Sequence, residues 1–381
     1  MPSCYNLGEG EAMGYRRIIA KFGTNLLTAG TDRLDLEVMA SLVGQVARLH
    51  QRGLEVMIVT SGAVAAGRQK LGMPRVGKDV PTRQVMAAVG QNALIQSYEQ
   101  LFAWHGIHVA QTLLTKHDLA DRLGYLNARN TLLALLELRV VPIVNENDVV
   151  WVDELEGAHF GDNDNLSAMV ANLVDADLLV LLGDVAGLFT ADPGKDAAAK
   201  LISRVDKIVA GIERIAGGTR GKGIGGMVTK VQAAKLATAS GTTVVIAEGR
   251  DPDVLLRLVD GEALGTLFAP ATSRMESKKR FLRAGLAAKG KLVVDDGAVT
   301  ALVEQNKSLL PAGVKEVEGS FKRGDAVNIV TAEGKNIARG ISNYSSSDVA
   351  RIRGARSDKI EQLLGYGYGE EVVHRNNLVV L

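Results

Sequence analysis

The chain of 381 residues contains one cysteine, Cys4. A lone cysteine forms no internal disulfide and no cysteine zinc site, so a reducing, cytoplasmic setting is the default. The six histidines are scattered and show no metal spacing, so no protein-built metal site is expected and histidine catalysis has no support. No G-x-S-x-G elbow is present, and the serine in Thr60-Ser61-Gly62 has no evident base partner, which argues against nucleophilic hydrolysis. No apolar run reaches the roughly 18 residues of a membrane span. Residues Met1 to Gly14 lack the charged and apolar regions of a signal peptide and read as a disordered leader, with Met13 an alternative start. The net charge of +1 names no partner.

What remains is ordinary for a soluble enzyme of two or three domains: 46% hydrophobic and 23% charged residues. Short apolar runs alternate with helical patterns. Strands are expected at 17–22, 55–60, 107–114, 140–144, 178–182 and 242–247. Helices are expected at 36–52, with Gly53 ending the helix, and at 81–105, 129–138 and 227–240. Alternation of this kind predicts an α/β fold, a three-layer sandwich around a mostly parallel central sheet. Its strands are continuous apolar runs, as both faces of a covered sheet require. The apolar segment Met86 to Leu101 is a candidate interface for a homo-oligomer.

Polar and small residues follow the strand cores. Lys21-Phe22-Gly23-Thr24, Ser61-Gly62-Ala63, Asn145-Glu146-Asn147-Asp148 and Gly183-Asp184 all come at strand ends, which gathers them on one sheet edge. Ligands bind beyond the carboxyl ends of such strands. The densest signal is Gly161-Asp162-Asn163-Asp164-Asn165-Leu166-Ser167-Ala168, at a helix start. Taken alone it reads as an Asx-rich cap at least as well as a site. Lys21, before a glycine turn, is placed to reach phosphate oxygens, although a lysine at a strand end is usually solvated. Asp148, Asn163, Asp164 and Asp184 supply acceptors for a substrate ammonium, for lysines or for Mg²⁺-bound water.

The run Gly221 to Gly226 matches G-x-G-x-x-G and has Glu248 about 20 residues further on, as a dinucleotide site has. It lacks the Walker A spacing. Residues 201–215 read as an amphipathic helix, with Gly211 late in it, where a dinucleotide fold needs a strand. A plain flexible loop, or a loop that wraps a triphosphate and presents Lys230, are the other readings.

Beyond residue 270 the composition changes. Ala271 to Arg283 reads as a basic linker, and short strands follow at 291–294, 326–330 and 336–341, separated by glycine turns. From Arg274 onward 18 Lys and Arg stand against 13 Asp and Glu. A slightly basic β module permits RNA binding, and a solvated surface explains the charge equally well. The expected organisation is a leader over 1–15, an α/β domain over 16–270, a linker over 271–288 and a small, mainly β domain over 289–381.

Six stretches together resemble glutamate 5-kinases of the amino-acid-kinase family. They are Ala20 to Thr28, Val59 to Arg68, Asn145 to Asp148, Gly161 to Ala168, Gly187 to Pro193 and Gly225 to Lys230. The tail resembles a PUA domain. The resemblance implies the amino-acid-kinase fold and transfer of phosphate from ATP, with Mg²⁺, to the side-chain carboxylate of L-glutamate, the first step of proline biosynthesis. It implies that Lys21 and Lys230 stabilise the transferring group and that Asp164 orients them. It implies glutamate binding by Ser61, Asp148 and Asn163. Nucleotide binding falls to Lys21, Gly183, Asp184, Ile224, Gly225, Gly226, Met227, Val228, Thr229 and Lys230. Relatives often carry threonine where this chain has Gly183 and Ile224, so two nucleotide hydroxyls are missing here. Feedback by proline is also an expectation from the resemblance. Two other readings stay open: a dinucleotide-dependent oxidoreductase using Gly221–Gly226, and an RNA-binding protein acting through the C-terminal module.

Overall fold

The computed structural model describes residues 14–73, 79–150, 163–217, 226–272 and 288–381. The chain divides into two compact units, residues 1–120 with 128–274, and residues 121–127 with 275–381.

The first unit is built on an eight-stranded sheet. Its strands are β1 (Arg17–Phe22), β2 (Glu55–Thr60), β3 (Val109–Leu114), β4 (Val141–Glu146), β5 (Leu178–Gly183), β6 (Arg204–Val205), β7 (Thr243–Glu248) and β8 (Thr266–Phe268). Their order is β3-β4-β2-β1-β5-β7-β8-β6. All neighbours run parallel except β7 and β8. Between the strands lie α1 (Thr24–Leu27), α2 (Leu36–Gln51), α3 (Ala63–Leu71), α4 (Val80–Ala103), α5 (Lys116–Ala120), α6 (Arg122–Glu137), α7 (Asn163–Leu173), α8 (Ala210–Gly217), α9 (Met227–Ala239) and α10 (Val254–Val259).

The helices form two groups, α2 with α4 and α10, and α9 with α7 and α8. Strand alternation divides the sheet's side chains between these layers. Ile18, Ala20 and Phe22 join the core that includes α2 and α10. By the two-residue period, Ile19 and Lys21 turn to the opposite face, toward α7 and α9. Burial on both faces explains why β5 is apolar without interruption. Strand β1 lies between β2 and β5, and the chain, having built β2, β3 and β4 on one side of β1, crosses to β5 on the other. The crevice at such a reversal collects whatever the strand ends carry.

Local chemistry fixes the helix boundaries. Asp35 accepts hydrogen bonds from the backbone N–H groups of Glu37 and Val38 and so starts α2. Gly53, at φ +90°, lets the chain reverse into β2. Helices α3 and α4 approach backbone to backbone through two glycines. A Cβ on Gly90 would lie 1.8 Å from the Ala63 carbonyl oxygen, and one on Gly67 would lie 1.9 Å from that of Met86. Gly90→Ala is therefore expected to destabilise the protein by at least about 2 kcal/mol, read as an earlier midpoint in urea unfolding. An unchanged midpoint would mean that the helices part freely.

One expectation needs correction. Residues 201–215 do not form one helix. Leu201 bridges to Phe189, Arg204–Val205 forms β6, and only Ala210–Gly217 is helical. The backbone of Leu267 donates to the Ser203 carbonyl and that of Ala269 to the Val205 carbonyl, so closing the exposed edge of β8 outweighs the helical periodicity. In the helix that carries the candidate interface, Met86, Leu94, Tyr98 and Leu101 are buried in the chain's own core.

The second unit carries a five-stranded mixed sheet, order β10-β9-β11-β12-β13, with strands β9 (Gly290–Val294), β10 (Val314–Gly319), β11 (Ala326–Val330), β12 (Asn336–Ile341) and β13 (Leu378–Val380). Helices Ser346–Ile352 and Ile360–Leu364 share its core with Leu292, Ile329 and Tyr344. The expected turns form at Gly324 and Gly334, both left-handed. Residues 273–287, most of the expected linker, lie outside the described residues. So do 1–13, 151–162 and 218–225, and with them Gly161, Asp162 and Gly221 to Gly225. No helix among the described residues is long and apolar enough to cross a membrane.

Candidate active site

A cavity of about 420 Å³ opens at the carboxyl ends of β1, β2, β4 and β5. Lys21 enters from β1, Asp164 from the first turn of α7, and Lys230 from the first turn of α9. Asp164 joins them. Its Oδ1 lies 2.5 Å from Lys21 Nζ, and its Oδ2 lies 3.1 Å from Lys230 Nζ. Thr229 Oγ1 donates to the same Oδ2 at 2.7 Å. All three charged side chains are at least nine-tenths buried. Burial pushes the Asp164 carboxyl up, but the ammonium groups of Lys21 and Lys230 and hydrogen bonds from Lys21 and Thr229 outweigh it. They hold the carboxyl well below the usual carboxylate range. One carboxylate therefore serves two lysines, and the trio carries a net positive charge at the cavity wall.

Beside this trio Asn163 donates through Nδ2 to Ser61 Oγ at 3.1 Å. Ser61 stays in place because Gly62, at φ +102°, turns the chain from β2 into α3. Asp148 lines the cavity at the end of β4. Burial pushes its carboxyl up to about 6, against the opposing charge of Arg83. Asn145 is buried and lines the same wall, its Nδ2 donating to Gln91 Oε1 at 2.7 Å. The side-chain oxygens of Asn145 and Asn163 are buried and accept no hydrogen bond. Buried acceptors left unmatched in this way can take a donor from water or from a ligand. Two such oxygens and the Asp148 carboxylate suit an ammonium group.

On the β5 side, Gly183 and Asp184 line the cavity, and Asp184 Oδ2 accepts from Asn25 Nδ2 at 3.1 Å. A Cβ on Gly183 would lie 3.3 Å from Lys230 Cε. The glycine thus leaves Lys230 room that a threonine would take. Gly226 precedes α9 without a side-chain cap, followed by Met227, Val228 and Thr229 in its first turn. The hydroxyl of Thr229 is committed to Asp164 and to the Gly226 carbonyl. Ile224 and Gly225 lie outside the described residues. Glu248 ends β7, but α8 leads toward the glycine run where a strand is needed, so a dinucleotide loop has no support.

The structure brings Lys21, Ser61, Asp148, Asn163, Asp164, Gly183, Asp184 and Lys230 together at one cavity. Asn25, Arg68, Arg83 and Asn145 line the same cavity, and the sequence assigns no role to them. Asn25, Arg68 and Asn145 lie inside stretches that carry the family resemblance. Arg83 lies on α4 among ordinary helical polar residues and gave no signal.

Residues 16–248 match the model of the amino acid kinase family, and residues 290–364 match that of the PUA domain. The chain belongs to the amino acid kinase family. Its relatives there are named glutamate 5-kinase. That of Dehalococcoides mccartyi strain 195 is 55% identical over 96% of this chain and 99% of its own. That of Herpetosiphon aurantiacus is 50% identical over 96% and 98%. That of Shewanella pealeana is 48% identical over 99% and 100%.

Proposed function

We propose that this enzyme transfers the terminal phosphoryl group of ATP to the side-chain carboxylate of L-glutamate, giving ADP and L-glutamyl 5-phosphate, the entry to proline biosynthesis. The observation that carries the reading is the pair of buried lysines held by Asp164 over one cavity.

The glutamate side chain, with a reference pKa of about 4.3, is already ionised at neutral pH and attacks phosphorus without a base. The obstacle is the approach of one anion to another. Lys21 and Lys230 lower it by meeting the charge that spreads over the transferring oxygens. Asp164 keeps both ammonium groups on station. Asn145, Asn163 and Asp148 receive the α-ammonium, and Ser61 fixes Asn163. Gly183, Asp184 and the start of α9 from Gly226 to Lys230 hold the nucleotide, with Ile224 and Gly225 joining them.

Among the described residues no group of three side chains forms a metal cage. Mg²⁺ keeps water and phosphate ligands and takes one or two carboxylates. Asp184 would hold it, Asp164 being tied to the lysines. When bound, the ion neutralises phosphate charge. We further infer a cytoplasmic homo-oligomer subject to feedback by proline.

Hydroxylamine trapping tests the reaction. Incubation with ATP and L-glutamate is expected to yield the γ-hydroxamate, and ADP release with no dependence on glutamate would overturn the assignment. A second expectation comes from Asp148. Its ionised form binds the ammonium, so kcat/KM for glutamate should fall about tenfold per pH unit below about pH 6, where the substrate itself stays ionised. Asp148→Asn should bind glutamate weakly with no such slope between pH 5 and 7. A wild-type profile that is flat across that range would remove Asp148 from ammonium binding.

A further inference from the structure

The trio Lys21, Asp164 and Lys230 serves the transferring group, and the acceptors Asn145, Asn163 and Asp148 suit an ammonium. An amino acid has one more charge, its α-carboxylate. Two further cations line the cavity, Arg68 on α3 and Arg83 on α4. Arg83 acts on the Asp148 carboxyl, which it draws down. Arg68 answers to a different residue. Its Nη2 lies 3.4 Å from Oδ2 of Asp32, a half-exposed aspartate. Its Nε is buried and donates to nothing.

That is an unusual state for a guanidinium, whose five donors are fixed in a planar fork that matches a carboxylate at two points. A single long contact to a half-exposed partner leaves the fork largely unused, and the buried Nε–H has lost water without gaining an acceptor. An incoming carboxylate would supply that acceptor. Arg68 is also well placed in the fold. It follows Gly67, whose close contact with α4 fixes α3, so the fork stands on a rigid element.

We propose that Arg68 binds the α-carboxylate of the amino-acid substrate and is the residue that makes the site select an α-amino acid over its α-amide. The proposal rests on the amino-acid kinase reading above. It divides substrate recognition into three charge contacts: the lysine pair for the reacting end, the Asn145–Asn163–Asp148 group for the ammonium, and Arg68 for the α-carboxylate.

The test compares L-glutamate with isoglutamine, its α-amide, which keeps the ammonium and the reacting carboxylate. Binding to wild type, Arg68→Lys and Arg68→Met is measured by calorimetry, so the readout does not depend on turnover. Wild type should prefer glutamate by about 100-fold, the scale of a charged hydrogen-bonded pair. Arg68→Met should lose that preference by weakening glutamate alone, with isoglutamine affinity changed by less than about threefold. Arg68→Lys, which keeps the charge and loses the fork, should fall between, and it carries the test should the methionine variant not fold. A methionine or lysine variant that keeps the full preference, or one that loses affinity for both compounds equally, overturns the proposal. A wild type that binds glutamate and forms no hydroxamate sinks the kinase reading and leaves this selectivity result standing.

Discussion

Lys230→Ala is expected to lower kcat about a thousandfold, the scale on which removal of one preorganised charge donor acts. The KM for L-glutamate should move by less than about threefold, because the lost contact belongs to the transition state and not to substrate binding. The geometry gives the reason. Lys230 Nζ shares Asp164 with Lys21, so the alanine variant removes one of two ammonium groups while the carboxylate remains. What is left at the wall is a neutral pair where a net positive charge had faced the cavity. Steady-state kinetics with ADP detection reads both quantities. A variant that turns over at the wild-type rate would exclude Lys230 from the reaction.

Asp164→Asn should have the larger combined effect. The side chain keeps its shape and loses its charge, and two buried ammonium groups then face a neutral amide. Leaving buried charges without their partner costs about 3 kcal/mol or more. The variant should therefore unfold at distinctly lower urea and show at least the activity loss of Lys230→Ala. The double variant Asp164→Asn with Lys230→Met removes the repulsion. It should recover part of the stability and none of the turnover, since neighbouring groups in one network do not act additively. The acid side gives a second readout. The Asp164 carboxyl lies below its ordinary range in the folded protein, so its stabilisation is present above about pH 4 and is lost as the pH falls below that. Asp164→Asn should flatten that part of the stability profile. Equal stability of wild type and Asp164→Asn in urea would show that the carboxylate does not hold the lysines.

How far the sequence carries is clear from particular elements. The limits of β5 and β11 and the start of α9 were legible because apolar runs, glycine turns and helical periodicity are local properties. The edge strand β6 was not. Its two residues are extended because β8 needs a partner more than 60 residues away, and nothing within 201–215 encodes that. Strand β13 and the short helices of the second unit were missed for the same reason, being fixed by packing onto Tyr344 and its neighbours. In the site, Lys21, Asp164 and Lys230 stood out because each sits beside a glycine or an Asx cluster at a strand end or helix start. Arg68 closes one of the stretches that carry the resemblance but, like Arg83, sits inside a helix, where a charged residue ordinarily means only a solvated face.

The sequence by itself determined the layered α/β fold, the run of polar turns after apolar strands, and the family, since each depends on residues close together in the chain. Only the tertiary structure decided that Lys21 and Lys230, 209 positions apart, share the two oxygens of Asp164. It also decided that the side-chain oxygens of Asn145 and Asn163 are buried at the cavity and accept no hydrogen bond. Both outcomes depend on strand order, which brings β1 between β2 and β5. Strand order is a property of the packed sheet, because each parallel connection must cover a face and return, and no local run of residues specifies beside which neighbour it will arrive.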